Sequence, residues 1–408
     1  MIKAGSLYYA IIICILLGIC CMSFLLLSHY SKMHSLLLET YTEVLDNNNS
    51  TRDYFLARIP ELESSPKKID LFDNGILSEG KVTNWGFYKI LNVKTIFKKD
   101  TIQQQSLLGL KKETSIALYL VDNEKPLQMV GNSMILGDVY IPKKGIKKGY
   151  ITSNAFSSRT FLEGNKFTAS NQLPNIENVY RTPMEFENDT LLMEDVTDRE
   201  ILYHSFIDKT QLIGVKTSSF NNKEIIGNII IWSKDSLFIK KGNRLENVII
   251  RAPIVIFEKG FKGTIQIEAS EKVELQEEVV LEYPSGIFMN TSNAEDIKVI
   301  LKEDSKFIGG IVVTGTGGLG KGSKLISIDK GAEVLGEIYT NGSTELKGKI
   351  MGSLYTDNFY LKTDASSYEN YIDNGIIDQK AMPNYFLGLS FKAVDSEPND
   401  TYGVIKQL

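Results

Sequence analysis

The chain has 408 residues, 43% hydrophobic and 23% charged, with a formal net charge of −5. This is ordinary globular composition, long enough for two or three domains or one long solenoid, and it supplies no overall positive field for nucleic acid. Cys14, Cys20 and Cys21 all lie in one apolar stretch and the histidines are His29, His34 and His204, so beyond residue 34 neither a thiolate nor a second imidazole is left for a metal or for a nucleophile's base.

A short tail, 1–6, leads into residues 7–27, an uncharged run from Leu7 to Leu27. As a helix it would span about 30 Å, the thickness of a hydrocarbon core, and a helix satisfies its own backbone there. Tyr8, Tyr9 and Tyr30 stand near the two interfaces, where tyrosine is favoured. A transmembrane helix is therefore expected rather than a cleaved signal, because no small-x-small site follows Phe24-Leu-Leu-Leu-Ser-His29. Lys3 and the N-terminal amine precede the span and Lys32 alone follows it closely. This balance favours an N-terminus inside and a C-terminal part outside, as in a single-pass protein of a bacterial inner membrane with an extracytoplasmic body. Over 28–50, Met33, Leu37, Tyr41 and Leu45 recur every four residues and predict an amphipathic helical extension. Asp46-Asn-Asn-Asn-Ser50 is expected to break it into a linker.

Residues 51–129, with Trp85-Gly-Phe-Tyr88 and Ser115-Ile-Ala-Leu-Tyr-Leu-Val121, read as a small β-rich module. In 130–150, Ile135-Leu-Gly-Asp-Val-Tyr-Ile141 reads as a first solenoid coil, followed by Lys143, Lys144, Lys147 and Lys148 around Gly145. Such a run is either a solvated turn or a contact patch for lipid phosphate, an acidic glycan or an acidic protein. Residues 151–223 lack the pattern and read as an insertion. They carry Glu185, Glu187, Asp189, Glu194 and Asp195, oxygen ligands of the kind calcium uses, although an acidic loop is the plainer reading.

The seven-residue pattern returns within 224–364 as Ile225-Ile-Gly-Asn-Ile-Ile-Ile231, Phe307-Ile-Gly-Gly-Ile-Val-Val313, Val334-Leu-Gly-Glu-Ile-Tyr-Thr340 and Ile350-Met-Gly-Ser-Leu-Tyr-Thr356. The last two copies start 16 residues apart and the pair before them 27 apart, while Asn247–Ala252 and Thr264–Ala269 are offset by 17. A spacing near 16 to 18 suits one coil of a β-helix, each coil needing neighbours above and below. Gly137, Gly227, Gly309, Gly336 and Gly352 fit corners where a positive φ or close approach excludes a Cβ. Alternation in Val273-Glu-Leu-Gln276, Ile297–Lys302 and Leu325–Asp329 supplies further strands. Gly315-Thr-Gly-Gly-Leu-Gly-Lys-Gly322 nearly spells a phosphate-binding loop. However, Gly322 takes the place of the metal-binding hydroxyl, and the next residues alternate as a strand instead of opening a helix. A loop between coils is expected there, with no nucleotide and no other cofactor. Residues 365–408 have few repeats and read as a C-terminal cap. The expected fold class is mainly β: a transmembrane helix, a small β-rich module and an interrupted β-helix or solenoid.

Lys298 to Asp357, and more loosely the stretches from Gly227 and over Asn132–Ile141, resemble bactofilin-like polymer-forming domains. The resemblance implies a β-helix of short coils, end-to-end assembly and no nucleotide. The N-terminal helix, with its Gly5-Ser6 junction behind Lys3 and a β-rich part after it, resembles the layout of pilin-like proteins; that implies processing after Gly5. The function expected is a non-catalytic, membrane-anchored structural or scaffold protein that self-associates or holds protein partners. A pilin-like component of a secretion or appendage machine is one alternative. A carbohydrate-active β-helix is another. The last needs two carboxyl groups about 5 to 10 Å apart, whereas Asp296, Asp304, Asp329 and Asp357 are scattered and Arg251 has no evident carboxylate set in the sequence.

Overall fold

The computed structural model describes residues 4–112, 116–151, 154–176, 190–290, 292, 294–318, 322–363, 366–389 and 401–408. Two compact units divide the chain, Met1–Val82 with Leu91–Gln104, and Thr83–Ile90 with Gln105–Leu408.

The first unit is organised by one helix, Ala4–Leu56. Its apolar side chains from Leu7 to Tyr41 are exposed except for the half-buried Ile12, whereas Val44 and Phe55 are buried. The expected break at Asp46–Ser50 does not occur, and the helix runs through it to Leu56. Asparagine weakens helices by offering its side chain to nearby backbone, but here those side chains are engaged elsewhere. The Asn48 amide donates to the Thr95 hydroxyl at 2.8 Å and to the Val93 carbonyl at 3.2 Å. Asn47 Oδ1 accepts from Ser78 and Thr51 at 3.3 Å each. Lys67–Ile69 pairs antiparallel with residues 78–80 beside this helix.

In the second unit, β-branched strands stack in parallel (a 21-stranded sheet among the described residues). The pairings follow three ladders. One runs from Ile201–His204 through 224–227 and 306–309 to 333–336 and 349–352. The second contains 229–232, 248–252, 265–269, 286–290, 310–314, 337–340 and 353–356. The third contains 255–257, 272–275, 297–301, 324–328 and 343–346. Long strands turn from one ladder into the next, and the six strands from Lys262–Leu275 to Glu333–Leu346, four long and two short, close a ring of parallel pairings. The registers pair Val334 with Ile350, Phe307 with Val334, and Val248 with Ile265. These are the offsets of 16, 27 and 17 seen in the sequence.

In-register stacking puts like on like. Ile250, Ile267, Ile287, Ile311, Ile338 and Leu354 form one column, each fully buried. Each such side chain contributes about 1.5–3 kcal/mol by leaving water.

The chain joins this stack in its middle. Below 349–356 the next coil is composite: Ile376–Asp378 continues the first ladder, and Leu118–Leu120 continues the second. Met134–Leu136 and Val139–Ile141 follow, then Leu162–Glu163 and Lys166–Thr168. Residues 118–120 therefore belong to the second ladder, and Leu127–Val130 lies in a three-stranded sheet with Tyr371–Asp373 and Ile146–Lys148, not in the module expected over 51–129. The expected insertion, 151–223, contributes strands at both ends of the stack. The C-terminal stretch expected as a cap instead places Thr401–Gln407 antiparallel to residues 106–111.

At the junction, the Cβ atoms of Ala117 and Gln379 each lie 3.0 Å from where a Cβ on Gly137 would stand. With Cys14, Cys20 and Cys21 replaced by serine, Ala117→Cys with Gln379→Cys should be bridged by oxidation or a short bismaleimide. A peptide map showing no 117–379 link would contradict the composite coil.

Candidate functional site

The corner between the first two ladders leaves no room for a Cβ at Gly227, Gly309, Gly336 or Gly352. Gly227, Gly309, Gly336 and Gly352 sit there with φ of 106°, 149°, 138° and 149°. A Cβ on Gly336 would strike the Gly309 carbonyl, and one on Gly352 would strike the Gly336 carbonyl. Gly137 repeats the turn below the junction with φ 130°, and Asn247 supplies a left-handed residue between the first two ladders where glycine is absent, with φ 56°.

The outer side of the second ladder is apolar and covered. Ile230, Ile249, Phe288, Val312 and Tyr339 pack against Trp85, Phe87, Tyr88, Leu107 and Leu389. Gln266 holds the Trp85–Phe87 turn as a strand would, its Oε1 accepting from the Phe87 amide at 2.7 Å and its amide donating to the Trp85 carbonyl at 3.2 Å. Gly286 makes room for the Phe87 ring, and Gly310 for Leu389. Farther along, Phe167, Tyr140, Tyr119, Tyr355 and Tyr339 stack ring on ring at centroid distances of 5.0 to 6.1 Å. Leu173 packs on this row, and the Tyr339 hydroxyl donates to the Pro174 carbonyl at 2.9 Å. Burial there pushes the Tyr339 phenol up to about 12.

The titratable groups are spread among structural tasks. Arg251, for which the sequence shows no carboxylate set, is bound to one carboxylate, Glu268, by contacts of 2.7 Å from both Nε and Nη2. The sequence hid this pair because its two members are 17 residues apart and meet only through the ladder register. Glu337 is buried and meets Lys112 at 2.8 Å. The phenol of Tyr88, fully buried near it, is raised well above its usual value, first by desolvation and then by Tyr283 and Glu337. His204 Nε2 lies 2.6 Å from the Lys209 carbonyl. Asp296 pairs with Lys298 and Asp329 with Lys302. Asp357 is half-buried beside Lys324, and desolvation outweighs that ammonium and raises its pKa. Lys324 itself donates to the Gly315 carbonyl at 2.5 Å and to Asn341 Oδ1 at 2.8 Å. It opens the strand Lys324–Ile328, so no helix follows the glycine loop, whose residues 319–321 lie outside the described set.

Glu185, Glu187 and Asp189 also lie outside the described residues; Glu194 and Asp195 are exposed on a short 3-10 turn. Among the described residues no group of three or more His, Cys, Asp or Glu side chains is arranged to hold a metal. Lys143 and Lys144 are exposed on the turn before Ile146–Lys148, and Lys147 and Lys148 are exposed on that strand. Comparison with known proteins finds no matching family model, no similar curated protein and no similar solved structure.

Two measurements test this geometry. Gly336→Ala should cost several kcal/mol, on the order of 3, because strain and a backbone collision add. Gly260→Ala, at φ 76° with open space around it, should cost about 1–2 kcal/mol from strain alone. Equal losses in chemical unfolding would contradict the corner contact. The folded pKa of Asp357 lies above its unfolded value, so its ionisation costs nothing at low pH and destabilises as pH rises through the carboxylate range. Asp357→Asn should therefore gain on the parent chain between about pH 3 and pH 7; a pH-independent difference would contradict the desolvation.

Proposed function

We propose that the chain is a membrane-anchored, non-catalytic structural protein whose three ladders are the walls of a β-solenoid. The observation that carries this reading is the single helix Ala4–Leu56. Among the described residues it alone is long and apolar enough to cross a membrane. Its first half is exposed on every side, while Val44, Asn47, Asn48, Thr51 and Phe55 near its other end are buried in the first unit. A core helix would bury its apolar part; this one presents that part to its surroundings, as a lipid-embedded helix does. Continuity of the helix through residues 28–50 also favours an anchor over a leader removed near residue 28. In this reading the body is held outside the membrane as a rigid column for protein or glycan partners.

The helix packs its C-terminal part on β-structure and leaves its N-terminal part bare, which supports a pilin-like assembly component as a second reading. One experiment separates the possibilities. The full chain should stay with membranes in alkaline carbonate, and the mature N-terminus should retain residues 1–27. Loss of residues 1–5 alone would favour the pilin-like reading, and a soluble chain beginning near residue 28 would overturn the anchor.

A further inference from the structure

Inside the stack, core columns remain apolar from layer to layer; at the last layer the column of Ile350, Ile377 and Ile135 ends on Leu162 and Leu127 meets Ile146, but two others end on charge. The column Ile338, Leu354, Leu118, Val139 continues into Lys166. The column Ile372, Met129 continues into Lys148. Both ammonium groups lie over aromatic rings, Lys148 at 5.6 Å from the Phe156 centroid and Lys166 at 5.5 Å from that of Phe161. The two rings are 6.1 Å apart and close the end of the core. Lys143, Lys144, Lys147 and Arg159 are exposed around them.

Residues 142–168 hold six cations against one acid, Glu163, in a chain of net charge −5. Among the described residues none of the six has a carboxylate within ion-pair distance, whereas lysines higher in the stack meet acids of the adjoining coil, as in Lys306–Glu333 and Lys302–Asp329. Inward-pointing lysine at a sheet edge also blocks strand addition. A further coil laid on this end would bury Lys148 and Lys166 without a counter-charge, at a cost of several kcal/mol each. A flexible anionic chain lying across the end would neutralise the same cations while leaving them hydrated.

We propose that this end of the stack is a docking surface for a polyanionic polymer, bound through Lys143, Lys144, Lys147, Lys148, Arg159 and Lys166. The proposal does not depend on whether the N-terminal helix spans a membrane. The test uses the full chain in nonionic detergent with fluorescently labelled polyphosphate and polygalacturonate, read by anisotropy at 50 and 200 mM salt (about a fourfold range). The two probes distinguish phosphate from carboxylate as the preferred anion. The variant K143Q/K144Q/K147Q should bind the preferred probe at least about tenfold more weakly and lose about 2–3 units of salt slope. The arginine triple at the same positions should restore binding, and K216Q/K234Q/K241Q, exposed lysines elsewhere, should change it less than twofold. Equal losses in the two glutamine triples overturn the proposal. So does failure of the parent chain to bind either probe, or a self-associated species dissolved by the first triple, which would make a second copy the partner.

Discussion

At the corner between the first two ladders, the carbonyl of one coil presses against the α-carbon of the next, closer than any Cβ allows. That contact sets the spacing from which the rest follows. Once Gly309, Gly336 and Gly352 fix the coils in register, side chains of the same kind meet along the stack. Aliphatic columns then fill the interior, and polar residues pair across coils. A parallel ladder one residue out of register would turn every core side chain outward, so the glycine corner and the aliphatic columns support one specification.

The same register explains how distant segments are joined. Ile376–Asp378 and Leu118–Leu120 share a coil because each continues a ladder that Lys349–Lys362 leaves open. The chain break falls at the glycine corner, where Gln379 leaves and Ala117 enters. No single residue there has to make the strained turn. The outer face of the second ladder, which carries Ile230, Ile249 and Phe288 where a free sheet would be polar, is accounted for by the aromatic turn Trp85–Phe87 and by the clamp that Gln266 places on it.

Much of the stack was legible in the sequence because glycine meets the corner geometry at Gly137, Gly227, Gly309, Gly336 and Gly352, and so it repeats, with Asn247 in its place at one corner. Ile201–His204 and Gln211–Gly214 escaped notice because His204, and not glycine, stands opposite Gly227, which removes the marker while leaving the strands. The composite coil left no trace, since adjacency of residues 117 and 379 in space has no sequence period. Helix continuation through Asn47 and Asn48 was hidden for a different reason. Local propensity disfavours it, and only hydrogen bonds to strands some 30 to 55 residues away make it acceptable. At the terminal coil the four lysines were visible, but not their company. Lys166 and Arg159 join them only when the ladder folds back, and the role of Lys148 as the end of a core column depends on its register with Met129.

Strands from two stretches of chain, 118–168 and 191–378, meet in one stack through a shared layer, Leu118–Leu120 with Ile376–Asp378. Native-state hydrogen exchange on the full chain, followed as denaturant is raised, tests it most directly. Amides of 118–120 and 134–136 should lose protection in the same step as those of 349–356 and 376–378. If 118–141 opened in a separate, earlier step while 349–378 stayed protected, the two stretches would be independent and the account of a single stack would be wrong.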